Sequence, residues 1–483
     1  MKRAYLLACL AFLLLHGRSL IGPVIFYDDF QILPHARTWQ RTVDSLWLPQ
    51  NEHAMPLGRL LSFGLDHAAG QLTNLPYWTC WVGPMGLLSA MAMVFVFVRR
   101  EMGHSFYALL AAILFAVTSV YHQAIWWFAA SFAVLSFDTL LLALLAAQCW
   151  RTTGNHVYLV LSAAACLLAP AWFALGILAG PLCFVYLLFV GWVERSVPHR
   201  GELRIRPTLR TLHCLWPLLG TALFLTISLP RTSDAILHTG HYGEQTATQA
   251  FDPLVGVVYT ARSLADNLLL GVVGVCGVAL PIWVVAPALL AAASIGLAWC
   301  RQAKDRRLML LGLGFIGSTY LLCYSARARW DYEQMVEPAF SRYHLLPHLG
   351  LVLFFVGGLR GREGRWFNLR DDGQIESRQL RFLLGVIGIS FLVQLPRGLL
   401  CSSPTSWTQF AEVREQQAAL LRIEEVDSVS RQHHLAADSV RQVLGKFEMP
   451  LAHGVGDGWD FLIGSDDPQP MPAEQVQRLL DGP

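Results

Sequence analysis

Charge is what this chain has least of. Asp, Glu, Lys and Arg make up 14% of its 483 residues, where soluble globular domains carry about 25%. That shortfall excludes the two or three soluble domains that length alone would allow. Paired cysteines are also missing. Ten Cys are present, yet nearly all sit inside apolar blocks, as Cys9, Cys149, Cys166, Cys183, Cys214, Cys276 and Cys323 do, and there is no CxxC. They read as small buried hydrophobes, not as a disulfide framework or a zinc site. The chain has no P-loop, no GxGxxG, no HExxH, no internal repeat and no low-complexity tract, so none of the nucleotide or metalloprotease chemistries those motifs carry is indicated. Its basic residues fall in short loops without interleaved exposed aromatics, which argues against a nucleic-acid partner.

What is present is apolar sequence in long blocks, among them 75–98, 105–147 and 158–193, within a chain that is 54% hydrophobic. Blocks of about 20 apolar residues match the hydrocarbon thickness of a bilayer. The expected architecture is an all-α polytopic membrane protein of about 11 transmembrane helices. The spans are predicted near 4–25, 76–98, 105–121, 124–148, 156–170, 172–193, 211–230, 276–300, 307–325, 343–360 and 380–397. Lys2 and Arg3 ahead of an apolar run imitate a signal peptide, but His16-Gly17-Arg18-Ser19 is not a small-residue cleavage site. An uncleaved first helix is expected instead. Ala169-Pro170 marks the fifth span as short, tilted or kinked.

The distribution of Lys and Arg orients this scheme. With a cytoplasmic N-terminus, the loops at 99–100, 151, 195–210, 301–307 and 360–381, together with Lys2 and Arg3, hold 20 of the 36 Lys and Arg residues. Eight lie in the opposite loops: Arg37, Arg41, Arg59, Arg231, Arg262, Arg327, Arg329 and Arg342. Positive charge stays inside, and the bias survives only if 251–274 is an interfacial helix and not a span. Eleven crossings then leave the C-terminus external. Residues 1–400 form the transmembrane domain, with a long first external loop at 26–75. Residues 401–483 form a small, polar, mostly helical external tail whose own core would be marginal.

Polar residues that a plain scaffold does not need gather in the external loops. Asp28 and Asp29 stand where the first apolar run ends. Ionisable groups at that depth are costly unless they face water or a partner. They read either as a general base for an incoming hydroxyl or as a solvated helix end. His53, Arg59, Arg342 and His344 read as a cationic cradle for a phosphate or as ordinary loop solvation. His238, His241 and Glu244 imitate a metal-ligand spacing, but Gly240 and Gly243 favour a flexible loop. Tyr121, His122, Trp126 and Trp127 read as an interfacial aromatic belt before they read as a sugar-stacking platform.

Three elements occur together: Asp28-Asp29-Phe30 after a single N-terminal helix, His53-Ala54-Met55-Pro56-Leu57 in the first loop, and Arg342-Tyr343-His344 before a late helix. In this the chain resembles the GT-C superfamily of membrane glycosyltransferases, which includes protein O-mannosyltransferases and aminoarabinose transferases. The resemblance implies a GT-C-like fold in a bacterial inner (cytoplasmic) membrane, with a polyprenyl-phosphate-linked sugar as donor and a cell-envelope acceptor of unspecified class. It implies transfer to an acceptor hydroxyl at the external face by one inverting displacement. Asp28 or Asp29, with Asp29 preferred, would be the catalytic carboxylate, and His53, Arg59, Arg342, Tyr343 and His344 would bind substrate. A divalent cation between the two carboxylates is compatible with the superfamily. The competing expectations are a transporter or flippase for a lipid-linked or anionic substrate, and a membrane scaffold acting through the tail. Against the transporter stand the lack of half-to-half similarity and the scarcity of charge deep in the spans, where Arg18 and Asp138 are the main exceptions.

Overall fold

In the computed structural model of the chain, residues 2–17, 20, 23, 25, 28–50, 54–194, 212–238, 252–269, 271, 281, 283, 284, 287, 290, 296, 297, 306–327, 342–359, 377–401, 410–445, 458–465 and 467–480 are described. His53, His241, Glu244 and most of the span predicted at 276–300 lie outside them. Among the described residues every regular element is helical. The principal helices are α1 (Lys2–His16), α2 (Trp39–Ser45), α3 (Pro56–Ala69), α4 (Val82–Met102), α5 (Ser105–Ala116), α6 (Phe128–Thr153), α7 (Val157–Trp172), α8 (Ala179–Glu194) and α9 (Trp216–His238). They continue with α10 (Pro253–Ser263), α11 (Arg306–Arg327), α12 (Leu345–Leu359), α13 (Ser377–Cys401), α14 (Phe410–Gln432), α15 (Ala437–Leu444) and α16 (Ala473–Leu480).

Five stretches among the described residues are long and apolar enough to cross a membrane: Leu72–Met102, Phe128–Thr153, Arg306–Ser325, Arg342–Leu359 and Ser377–Pro396. Shorter apolar helices cover Ser105–Ala116, Val157–Trp172 and Ala174–Leu188. The faces of these helices follow from their sequences. In α1, Ala4, Ala8, Ala11 and Leu15 recur at helical spacing and are buried, whereas Leu6, Leu7, Leu10, Leu13 and Leu14 are exposed. Small residues on the inner face let backbones approach, and no described residue covers the leucine face. The same economy joins α11 to α12. A Cβ at Gly312 or at Gly350 would run into the carbonyl oxygen of the other, so the two helices cross backbone to backbone.

Several predicted spans differ from the helices found. The first is continuous helix only to His16, ahead of Gly17. The third stops at Ala116. Beyond it the chain is irregular to His122, and side chains from other helices take up the freed backbone: His16 Nε2 lies 3.1 Å from the Thr118 carbonyl. Gln394 accepts from the Ser119 N–H at 3.0 Å and from its hydroxyl at 2.7 Å. Non-helical backbone inside a bundle requires such partners. The fourth span starts at Phe128 because Trp127 is extended (φ −96°, ψ 120°). The fifth and sixth are separated where Pro170 sits in the last turn of α7 and a 3-10 turn, Ala174–Leu178, follows. The segment 251–274 contains the short α10 and a π-helical turn, Leu264–Leu269.

Two apolar cores result. The larger one lies within the bundle and takes residues from α1, α4–α8 and α11–α13. The second lies at one end and joins the first loop (Ile25, Phe30, Leu33, Met55, Leu72), the start of α6 (Trp127–Ala133), Phe173, Tyr343 and the tail (Leu420, Ile423, Val440, Trp459, Phe461, Val476). The tail therefore shares its core with the first loop.

Candidate active site at the rim of the helix bundle

Residues singled out from sequence border the second core: Asp29 precedes its Phe30, Arg342 stacks on its Trp127, and Tyr343 is one of its members. Asp28 and Asp29 start a short helix, Asp29–Ile32, that runs into a 3-10 turn, Leu33–Ala36. Asp29 is 1% exposed, and its Oδ1 accepts the backbone N–H of Ala129 at 2.8 Å. Ala129 belongs to the first turn of α6, whose N–H groups have no intrahelical acceptor. The N-cap residue is Trp127, and it makes no side-chain cap; an indole has no oxygen to offer. Asp29 supplies that acceptor from elsewhere in the chain, and its negative charge sits favourably at the positive end of the helix dipole. Asp28, one residue earlier, is half-buried.

Arg342 approaches the same turn from the other side. Its guanidinium carbon lies 4.9 Å from the centre of the Trp127 ring and 5.1 Å from that of Tyr343. Its Nη1 donates to Gln123 Oε1 at 3.3 Å. Stacking on two aromatic faces while donating to an amide suits arginine and not lysine. The Tyr343 ring packs against Phe173 at 6.1 Å. His344 Nδ1 shares a hydrogen bond with the Tyr320 hydroxyl at 3.0 Å. Asp29 and Arg342 thus meet at residues 123–129, although 313 positions separate them.

Arg59 is held by α3. Pro56 opens that helix, and Gly58 lets it press against Phe132 of α6. Arg59 is 2% exposed. Its Nη2 donates to the Leu48 carbonyl at 3.4 Å, while Nε and Nη1 meet no acceptor among the described residues. Burial pushes its pKa down from 12.5 to about 10, so the side chain remains a cation at neutral pH. Beside it, His35 is held below its ordinary 6.5 by burial, then by the charges of Arg59 and Arg41. Arg37 differs, being paired with Asp66 at 2.6 Å. This end of the molecule is a carboxylate pair next to a buried, cationic loop, an arrangement suited to accepting a proton and holding an anion.

Sequence reasoning missed His35, Gln123 and Gln416. Gln123 adjoins the Trp126-Trp127 pair that was noticed, but an amide carries no sequence signal of its own. Among the described residues, no three His, Cys, Asp or Glu side chains come together to hold a metal ion. The acidic pair alone would offer a divalent cation two carboxylates, one of them already bonded to Ala129. No protein-family model matches the chain, and no curated protein matches it in sequence.

Proposed function

We propose that this chain is a GT-C-like membrane glycosyltransferase that moves a sugar from a polyprenyl-phosphate donor to an acceptor hydroxyl. The observation that carries the proposal is the convergence of Asp29 and Arg342 on residues 123–129, with Arg59 buried on α3 and its Nε and Nη1 meeting no acceptor among the described residues. The full scheme has eleven crossings, an N-terminus in the cytoplasm, the tail outside and the bacterial inner membrane as the setting. Membrane lipids would surround the bundle.

The chemistry needs a base and a holder for the leaving group. Asp28, the more accessible carboxylate, takes the proton from the acceptor hydroxyl. The acceptor oxygen bonds to the anomeric carbon as the bond from that carbon to the phosphate oxygen breaks, inverting the centre. The electron pair leaves with polyprenyl phosphate, and Arg59 together with Arg342 and His344 stabilises its charge. Asp29 anchors the pair by capping α6.

The test is transfer from a polyprenyl-phosphate sugar in membranes containing single-site variants. Asp28→Asn should lower the rate by about a hundredfold or more. Asp29→Asn keeps an oxygen for Ala129 and should lower it less. Wild-type rates in both variants would sink the mechanism.

A further inference from the structure

The polar tail touches the acidic segment in a way that the chemistry above does not use. Gln416, on α14, is 4% exposed. Its Oε1 accepts the N–H of Ile25 at 2.9 Å, and its Nε2 donates to the carbonyl of the same residue at 2.8 Å. One side-chain amide thus satisfies both backbone groups of a residue three positions before Asp28. On the other flank of the pair, the Phe30 ring meets Phe461 of the tail edge to face at 5.8 Å. Farther along the loop, Arg41 donates to the Leu462 carbonyl at 2.8 Å, and Thr73 donates to Glu424 at 3.4 Å. Ala419, Leu420 and Ile423 follow Gln416 on the buried face of α14 and enter the core shared with the loop.

We infer that the C-terminal tail is a positioning device for the acidic pair, with Gln416 as its clasp on Ile25 and Phe461 as its stop behind Phe30. A buried backbone N–H and carbonyl must be paired, and neither is bonded within a helix at Ile25, which has no regular structure. Without Gln416 the segment would have to turn those groups toward water and carry Asp28 with it. Gln416 is a positioning residue and does not contact the reacting atoms. This inference uses the proposed role of Asp28 for its activity readout alone, since backbone protection at Ile25 can be measured without any substrate.

The full-length protein in lipid nanodiscs serves for the experiment, with Gln416→Leu, Gln416→Glu and, as a control on the exposed face of α14, Glu425→Gln. In Gln416→Leu, hydrogen exchange across residues 25–32 should accelerate while exchange in α6 and α12 stays at wild-type rates. The catalytic rate constant should fall on the order of tenfold, with the donor KM unchanged. Gln416→Glu separates the clasp from general packing. Its protonated carboxyl keeps one acceptor and one donor, as the amide does; its ionised form has no donor for the Ile25 carbonyl. Protection at residues 25–32, and activity expressed as a ratio to wild type at each pH, should therefore rise as pH falls from about 8 to about 5. Taking the ratio cancels the titration of Asp28 and Asp29 themselves. Wild-type protection at 25–32 in Gln416→Leu, or a Gln416→Glu ratio flat with pH, overturns the clasp. Altered protection with no transfer by the wild-type protein either would leave the clasp standing and overturn the glycosyltransferase proposal.

Discussion

A buried cation with two of its three nitrogens lacking an acceptor among the described residues should cost the fold stability, and Arg59 allows that cost to be measured. Burial is the cause that lowers its pKa, from 12.5 to about 10, a difference of about 3.5 kcal/mol at about 1.4 kcal/mol per pH unit. The sign follows from proton counting. Below about pH 10 Arg59 is protonated in folded and unfolded chains alike, so the native state bears the whole penalty at neutral pH. Methionine at this position follows the apolar stem as far as Nε, removes the charge and leaves the guanidinium's space to be refilled. It forfeits one long bond, Nη2 to the Leu48 carbonyl at 3.4 Å, which offsets about 1 kcal/mol at most. Arg59→Met should therefore stabilise the loop–tail unit by on the order of 2 kcal/mol, read as a higher midpoint in thermal unfolding of the protein in nanodiscs. The same variant should lose sugar transfer, and polyprenyl phosphate should raise the unfolding midpoint of the wild type but not of the variant. Stability gained with function lost is what a group kept for an anion predicts. A lower midpoint together with unimpaired transfer would refute the reasoning, because Arg59 would then be holding structure.

The remaining expectations concern other parts of the frame. Gly350→Leu places a side chain against the Gly312 carbonyl, and the forced separation of α11 and α12 should cost about 1–3 kcal/mol, seen as a lower unfolding midpoint; Gly385→Leu, where the added Cβ meets nothing, should have no such effect. His35 is held below 6.5 in the folded chain by burial, Arg59 and Arg41. As pH drops through 6.5 the unfolded state takes up the proton first, so the loop–tail unit should lose stability below that pH, and His35→Gln should flatten the dependence below pH 6.5, with the midpoint measured at fixed ionic strength.

The bundle was legible in sequence because bilayer thickness imposes a length, and blocks such as 75–98 and 380–397 meet it with few charges. Boundaries were less legible where tertiary partners decide them. Nothing local to 117–122 ends the third helix; side chains of His16 and Gln394, from helices distant in sequence, make the irregular backbone tolerable there. The tail's hold on the loop, Ile25 to Gln416, spans 391 positions and leaves no periodic trace. The acidic pair was legible as a feature; the bond from the Ala129 N–H to Asp29 Oδ1 was not. One sequence signal pointed that way. The helix that begins at Phe128 follows Trp126-Trp127, with no Ser, Thr, Asp or Asn at the cap position. A long buried helix that starts without its own acceptor must receive one from another part of the chain. Of the carboxylates near this rim, Asp29 fills that need, and its neighbour Asp28 is half-buried. In the proposed mechanism the two adjacent acids divide the work: Asp29 fixes the backbone by its bond to Ala129, and Asp28 is the base.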